Sequence, residues 1–152
     1  STTDPNDRSE LLVEPEEMQD ISEEAAIAAA KYFMGLLEYV FLTGDLRKWE
    51  SMSHRDCVYC RSIANRVRAL QEEHAVILTG APEWAGAPEA EHLVGQDRWL
   101  VTLRAELAES AKVNADGNVI ETYPASRLEV VADMHFSKGE WRTMRVQVSG
   151  NE

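Results

Sequence analysis

The chain reads as an α+β domain, helices first and an antiparallel meander second. Three observations predict this. Apolar residues recur at helical spacing through the first half. The period then switches to strict alternation. Turn signals such as "NADGN", Asn114 to Asn118, separate the alternating runs. Helical runs followed by strand runs are the pattern of α+β folds.

At 152 residues the chain fits one domain. Residues 1–20, "STTDPNDRSELLVEPEEMQD", carry few large apolar groups and are read as a flexible acidic tether. Leu11, Leu12 and Val13 are the exception, apolar enough to dock on the body. Residues 21–150 form the single folded domain. Its first helix is expected to open with Asp20 and Glu23 as a capping box and to carry Ala26, Ala30, Phe33, Leu37, Val40 and Phe41 on its apolar side. Gly44 then stops it. Asp45 is expected to cap a short second helix with Leu46, Trp49 and Met52 on one side. A third helix should start with Asp56 as N-cap, its stripe formed by Cys60, Ile63, Val67 and Leu70.

Beyond it, "AVILTGA" reads as a strand and "APEWAGAPEAE" as a loop containing Trp84. In "RWLVTLRAELAES" the apolar Trp99, Val101, Leu103, Ala105 and Leu107 alternate with Thr102, Arg104 and Glu106, as on a half-buried strand. A long strand from Val119 toward Phe136 places Leu128, Val130, Ala132, Met134 and Phe136 on one face. Met144, Val146 and Val148 line the last one.

This element order is similar to the cystatin-like or NTF2-like cone, in which a bent sheet wraps a long helix. Tyr39, the Thr43-Gly44-Asp45 turn, Ser53, Asp56 and the pair Cys57 and Cys60 stand in a segment, "AAKYFMGLLEYVFLTGDLRKWESMSHRDCVYCRSIANRV", covering about a quarter of the chain. With these residues it resembles an uncharacterised family of secreted lipoprotein domains from high-GC Gram-positive bacteria. The resemblance implies an extracytoplasmic protein held at the outer face of the cell membrane by a lipid on a cysteine outside this sequence. It implies no activity. The chain starts with serine, so a processed product is expected.

Composition narrows the partners. The net charge of −12 sets the protein against phosphate backbones, so nucleic acid is not expected as a partner. With 44% hydrophobic residues and no uninterrupted apolar stretch near 20 residues, no membrane span is expected.

"CVYC" holds both cysteines. With Cys57 opening the third helix, Cys60 lies one turn on, and Cα atoms roughly 5–6 Å apart suit a disulfide. A structural bridge is the leading reading. A helix N-terminus also favours a thiolate, so a redox pair is the second, although a thioredoxin-like motif follows a strand and this one follows the helical "LRKWESM". Metal ranks third: His54 and His74 are the candidate extra ligands, and His74 at the far end of the helix lies roughly 20 Å from its start.

No metal or cofactor is expected, and the common catalytic and nucleotide motifs are missing from the sequence. Glu14, Glu16 and Glu17, like Glu72 and Glu73, lack calcium-loop spacing. Asp133 and His135 share a strand face, but opposite Ala132 and Met134, hence toward solvent. The inward face is expected to hold nothing titratable. Tyr32, Tyr39, Trp99 and Trp141 are candidates to line or rim a pocket. The expected role is non-catalytic, binding a cell-envelope partner protein or a small apolar ligand, with a homodimer possible by analogy of fold. An envelope thiol–disulfide protein using "CVYC" and an NTF2-like isomerase or hydrolase are the alternatives.

Overall fold

A computed structural model describes residues 8–151. Three helices, α1 (Glu23–Thr43), α2 (Arg47–Met52) and α3 (Val58–Glu72), precede seven strands. The strands are β1 (Val76–Leu78), β2 (Glu83–His92), β3 (Arg98–Leu107), β4 (Ser110–Val113), β5 (Val119–Tyr123), β6 (Ser126–Ser137) and β7 (Glu140–Asn151). They form two antiparallel sheets, a four-stranded one in the order β2-β3-β6-β7 and a three-stranded one in the order β1-β4-β5. The α+β expectation, helices on an antiparallel sheet, matches this.

The core follows from α1. By length and composition the helix could cross a membrane, but its apolar side chains bury themselves against the larger sheet. Ala25, Ala26, Ala29, Ala30, Phe33, Leu36 and Val40 are all buried. The alanines let the sheet approach closely, and α1 touches all four of its strands. Facing it are Trp99, Val101 and Leu103 of β3 and Val130, Ala132 and Met134 of β6, the alternation the sequence predicts.

Helix ends follow local chemistry, with three corrections. Leu46, not Asp45, stands at the N-cap of α2, although Asp45 Oδ1 still accepts from the Arg47 N–H at 3.1 Å. Ser22, not Asp20, caps α1, its Oγ accepting from the Ala25 N–H at 3.1 Å. Asp20 accepts from the adjacent Ile21 N–H instead. Cys57, not Asp56, caps α3, its Sγ accepting from the Cys60 N–H. Gly44 ends α1 as expected, at φ 76°. A Cβ there would stand 2.4 Å from Gln71 Nε2, which donates to the Gly44 carbonyl. Gly44→Ala is therefore expected to cost about 1–2 kcal/mol, from the left-handed backbone and the displaced Gln71, read as a lower urea midpoint at unchanged slope.

The expected single meander is divided. The run "RWLVTLRAELAES" leaves the larger sheet after Leu107 and enters the smaller one as β4. The long strand expected from Val119 to Phe136 breaks at Pro124, which cannot donate to a ladder, into β5 and β6 in different sheets. The expected loop "APEWAGAPEAE" is mostly β2. Gly86, at φ 67°, Ala87 and Pro88 occupy an irregularity between Ala85 and Glu89, so the proline falls on an edge strand where a missing donor is tolerated. In β7 a bulge at Met144 shifts the parity, so Trp141 and Thr143 are buried as well as Val146. The α2–α3 connection covers part of the β7 edge, where the His54 N–H donates to the Thr143 carbonyl at 2.9 Å.

The tether expected for residues 1–20 is corrected for the part described. Residues 8–20 form two short 3-10 turns, Ser9–Leu12 and Glu16–Gln19, folded onto the body. Met18 is buried, and Leu11 and Leu12 pack on the core, whereas Val13 is exposed. Three apolar groups, and distant hydrogen bonds from Tyr32 and Trp141 to the Leu12 and Met18 carbonyls, supply what the local sequence lacks. Residues 1–7 of the expected tether lie outside the described residues.

Candidate functional site

The Cys57 and Cys60 sulfurs are at disulfide distance, 2.14 Å, with Cα atoms 5.3 Å apart. Both residues are buried, at 1% and 2% exposure. Trp49, fully buried, stacks on Phe33 with ring centroids 3.9 Å apart and donates its indole N–H to the Cys60 carbonyl at 3.0 Å. The cysteine pair is thus pinned against the central helix through α2. An attacking thiol must reach its substrate through its sulfur, and these sulfurs face the core.

The four aromatic candidates do not converge on one pocket. The Tyr32 hydroxyl donates to the Leu12 carbonyl at 2.6 Å, and the Trp141 indole donates to the Met18 carbonyl at 2.9 Å. These two clasp the N-terminal segment. Burial, with help from Glu14, pushes the Tyr32 phenol up to about 12, so it stays a donor at any ordinary pH. Trp99 lies in the core at 5.6 Å from Trp141 and stacks on His92 at 4.5 Å. His92 pairs with Trp99 across β2 and β3, so the helix-facing side does carry a titratable group at its edge. Reading β2 as loop hid it.

Tyr39 belongs to a node that ties the end of α1 to α2. Its hydroxyl donates to Asp45 Oδ2 at 2.8 Å, and Arg47 grips both Asp45 oxygens at 2.9 Å. Thr43 Oγ1 accepts from the Asp45 N–H and donates to the Tyr39 carbonyl. The Thr43-Gly44-Asp45 turn is therefore a joint. The Arg47 guanidinium holds the Asp45 carboxyl well below its ordinary value against the opposing effect of burial, with Tyr39 helping. A carboxylate depressed in the folded state stabilises fully above its unfolded pKa of about 4, and the contribution is lost as pH falls toward the folded value. Asp45→Asn should therefore lower Tm at neutral pH and flatten its fall between about pH 4 and pH 2. Thermal melts across that range check this.

Asp133 corrects a second expectation. Alternation puts it on the outer side of the larger sheet, as predicted, yet it is only 2% exposed. Arg98 lies over it with two bonds of 2.7 Å, and Arg145 approaches at 4.0 Å. Position on an outer face does not fix burial where long basic side chains lie across it. His135 on the same face is half-buried.

The acidic runs join structural ion pairs, Glu14 with Lys48 and Glu73 with Lys112 at 2.9 Å. Among the described residues no cluster of three metal-ligating side chains is gathered.

Trp141 and Tyr32 each line a separate cleft beside the N-terminal segment, and another opening lies elsewhere. Where the C-terminal half of α1 meets the smaller sheet lies a cleft of about 250 Å³, lined by Leu37, Phe41, Ile77, Pro82, Leu107 and Tyr123. It shares Leu107, Ala108 and Ser126 with an adjoining, shallower cleft of about 620 Å³ bordered by Glu83, Glu106 and Arg127. The split into two sheets creates this opening, since β3 and β6 both stop there. Arg66 of α3 stands at its wall, its guanidinium 5.4 Å from the centre of the Phe41 ring and 5.6 Å from that of Tyr123. Sequence reasoning missed this group because its residues come from seven separate elements, α1, α3, β1, β3, β4, β5 and β6. The Pro124 break between two alternating runs was the available signal.

Comparisons with solved structures show the fold. The intermembrane-space region of the chloroplast protein ARC6 superposes with a TM-score of 0.58 at 11% identity, over 99% of this chain and 100% of that one. An uncharacterised protein with a cystatin-like fold from Caulobacter vibrioides gives a TM-score of 0.52 at 12% identity, over 84% of this chain and 88% of the other. No curated protein matches the chain. A family model, described only as a family of unknown function, matches residues 13–147, which takes in the clasped N-terminal segment, the Asp45 joint, "CVYC" and the cleft. The chain belongs to that family, DUF6318.

Proposed function

We propose that this protein is a non-catalytic, extracytoplasmic, lipid-anchored binding domain, its fold fastened by a Cys57–Cys60 disulfide, and that it takes a small apolar ligand at the junction of its two sheets. The observation that carries the binding role is the cleft beside Leu37, Phe41 and Leu107, an apolar concavity opening to solvent where both long strands end. Concave, mostly apolar sites with a few polar groups are where small molecules bind. Burial of both sulfurs supports a structural bridge over the redox alternative, and stable bridges belong to oxidising compartments. The resemblance to secreted lipoprotein domains supports the location.

A neutral apolar probe, octanol, titrated into the isotope-labelled full chain should move the amide signals of Ile77, Leu107 and Tyr123. No movement with octanol or with any charged probe of the same tail length would sink the binding role. The bridge is tested separately. A thiol count should give no free thiol without reductant, and reduction should cost only about 2 kcal/mol because the loop is so short. Both cysteines reacting freely without reductant would overturn that part.

A further inference from the structure

The cleft at the sheet junction is mostly apolar, with Thr79, Ser110 and Ser126 adding hydroxyls to its lining and one guanidinium standing at its wall. Arg66 is exposed and makes no ion pair among the described residues. Other cations nearby are already spent: Arg68 on Glu50 at 2.9 Å and Lys112 on Glu73 at 2.9 Å. The position of Arg66 is fixed by two aromatic faces, those of Phe41 and Tyr123, which hold the planar group without neutralising it. Glu121, two residues from Tyr123, accepts from the Tyr123 hydroxyl at 2.9 Å. What remains free on Arg66 is its fork of N–H donors, the geometry that matches a carboxylate.

We infer that the cleft binds a small amphiphilic carboxylate, the acid group on Arg66 and the apolar body between α1 and the smaller sheet. This rests on the proposed binding role and names the ligand's chemistry. Size supports a short chain: about 250 Å³ is below the roughly 300–1,000 Å³ of drug-sized sites, and the excess length of a longer tail would run into the adjoining cleft past Leu107 and Ala108. A cationic ligand would meet Arg66 unfavourably, and a neutral one would leave its donors unused.

The test uses three probes of one tail length, octanoate, octanol and octylammonium, titrated by NMR into the full chain. Octanoate should bind about tenfold or more tightly than octanol, and octylammonium most weakly. Shifts should centre on Phe41, Ile77 and Tyr123. Arg66→Gln should bring octanoate down to the level of octanol, while Ala108→Trp, at an exposed position on the rim, should weaken both. Should Arg66→Gln fail to fold, the unaltered protein still decides, because the acid's advantage must shrink toward none at about 1 M salt, where screening acts over about 3 Å. Octanol binding as tightly as octanoate, or octylammonium binding best, overturns the anion site and leaves the binding role standing. An acid advantage that survives Arg66→Gln or high salt overturns the assignment to Arg66. Binding by none of the three removes both readings.

Discussion

Trp49→Ala should be the most damaging single substitution in this protein. The side chain is fully buried, lies flat on Phe33 and bonds the Cys60 carbonyl, so it joins three helices at one point. Truncating a buried tryptophan costs about 3–5 kcal/mol, from lost transfer and the cavity left behind. For a domain of this size that corresponds to a fall in Tm of about 10–20 °C. Trp49→Phe keeps the stack and loses the indole donor, and should cost markedly less. Calorimetry of the pair separates packing from the hydrogen bond. Equal losses for the two variants would mean that the donor, and not the volume, is what holds α2.

The second large effect is asymmetric. Asp133 is buried while Arg98, its partner, keeps a side-chain exposure of 27%. Removing the arginine by Arg98→Met strands a carboxylate away from water, with Arg145 only grazing it at 4.0 Å, and should cost about 3–5 kcal/mol. Asp133→Asn leaves the guanidinium able to turn toward solvent and should cost less. The double variant, Arg98→Met with Asp133→Leu, should recover most of the loss, since an apolar pair of similar volume removes the stranded charge. Urea unfolding of the three variants checks the order. Were Asp133→Asn the costlier single change, the carboxylate would be accepting bonds beyond those of the two arginines.

Elements whose stabilising partners are near in sequence were legible. The period of α1, the stop at Gly44, the short α2 and the face of β3 all depend on residues within a turn or a strand pair of one another, and periodicity reports them. Asp133 shows where that stops: alternation told its face, but its burial depends on Arg98, 35 residues away. The N-terminal segment shows it more sharply. Its own composition reads as unfolded, and its anchors come from elsewhere, among them Trp141, 123 residues away, Tyr32 and Lys48. The division into two sheets depended on Pro124 and the bulges, each a small local event that redirects everything after it. The cleft was illegible for the same reason, since Arg66 meets Phe41 and Tyr123 only once α1, α3 and β5 are in place. The Thr43-Gly44-Asp45 motif was visible, and its meaning as a joint was not.

The bond from the Trp141 indole to the Met18 carbonyl has a bearing on how the chain comes to be made. A ribosome releases Met18 123 residues before Trp141, so the segment around Met18 must wait for the hairpin of β6 and β7 before it can settle. Until then Met18, Leu11 and Leu12 travel uncovered. Acidic residues crowd this waiting stretch, Glu10, Glu14, Glu16, Glu17 and Asp20 among them. Charge of one sign keeps such a strand soluble and discourages it from joining a neighbouring nascent copy. The acidity that made the segment look like a permanent tail suits it to a long interval before docking.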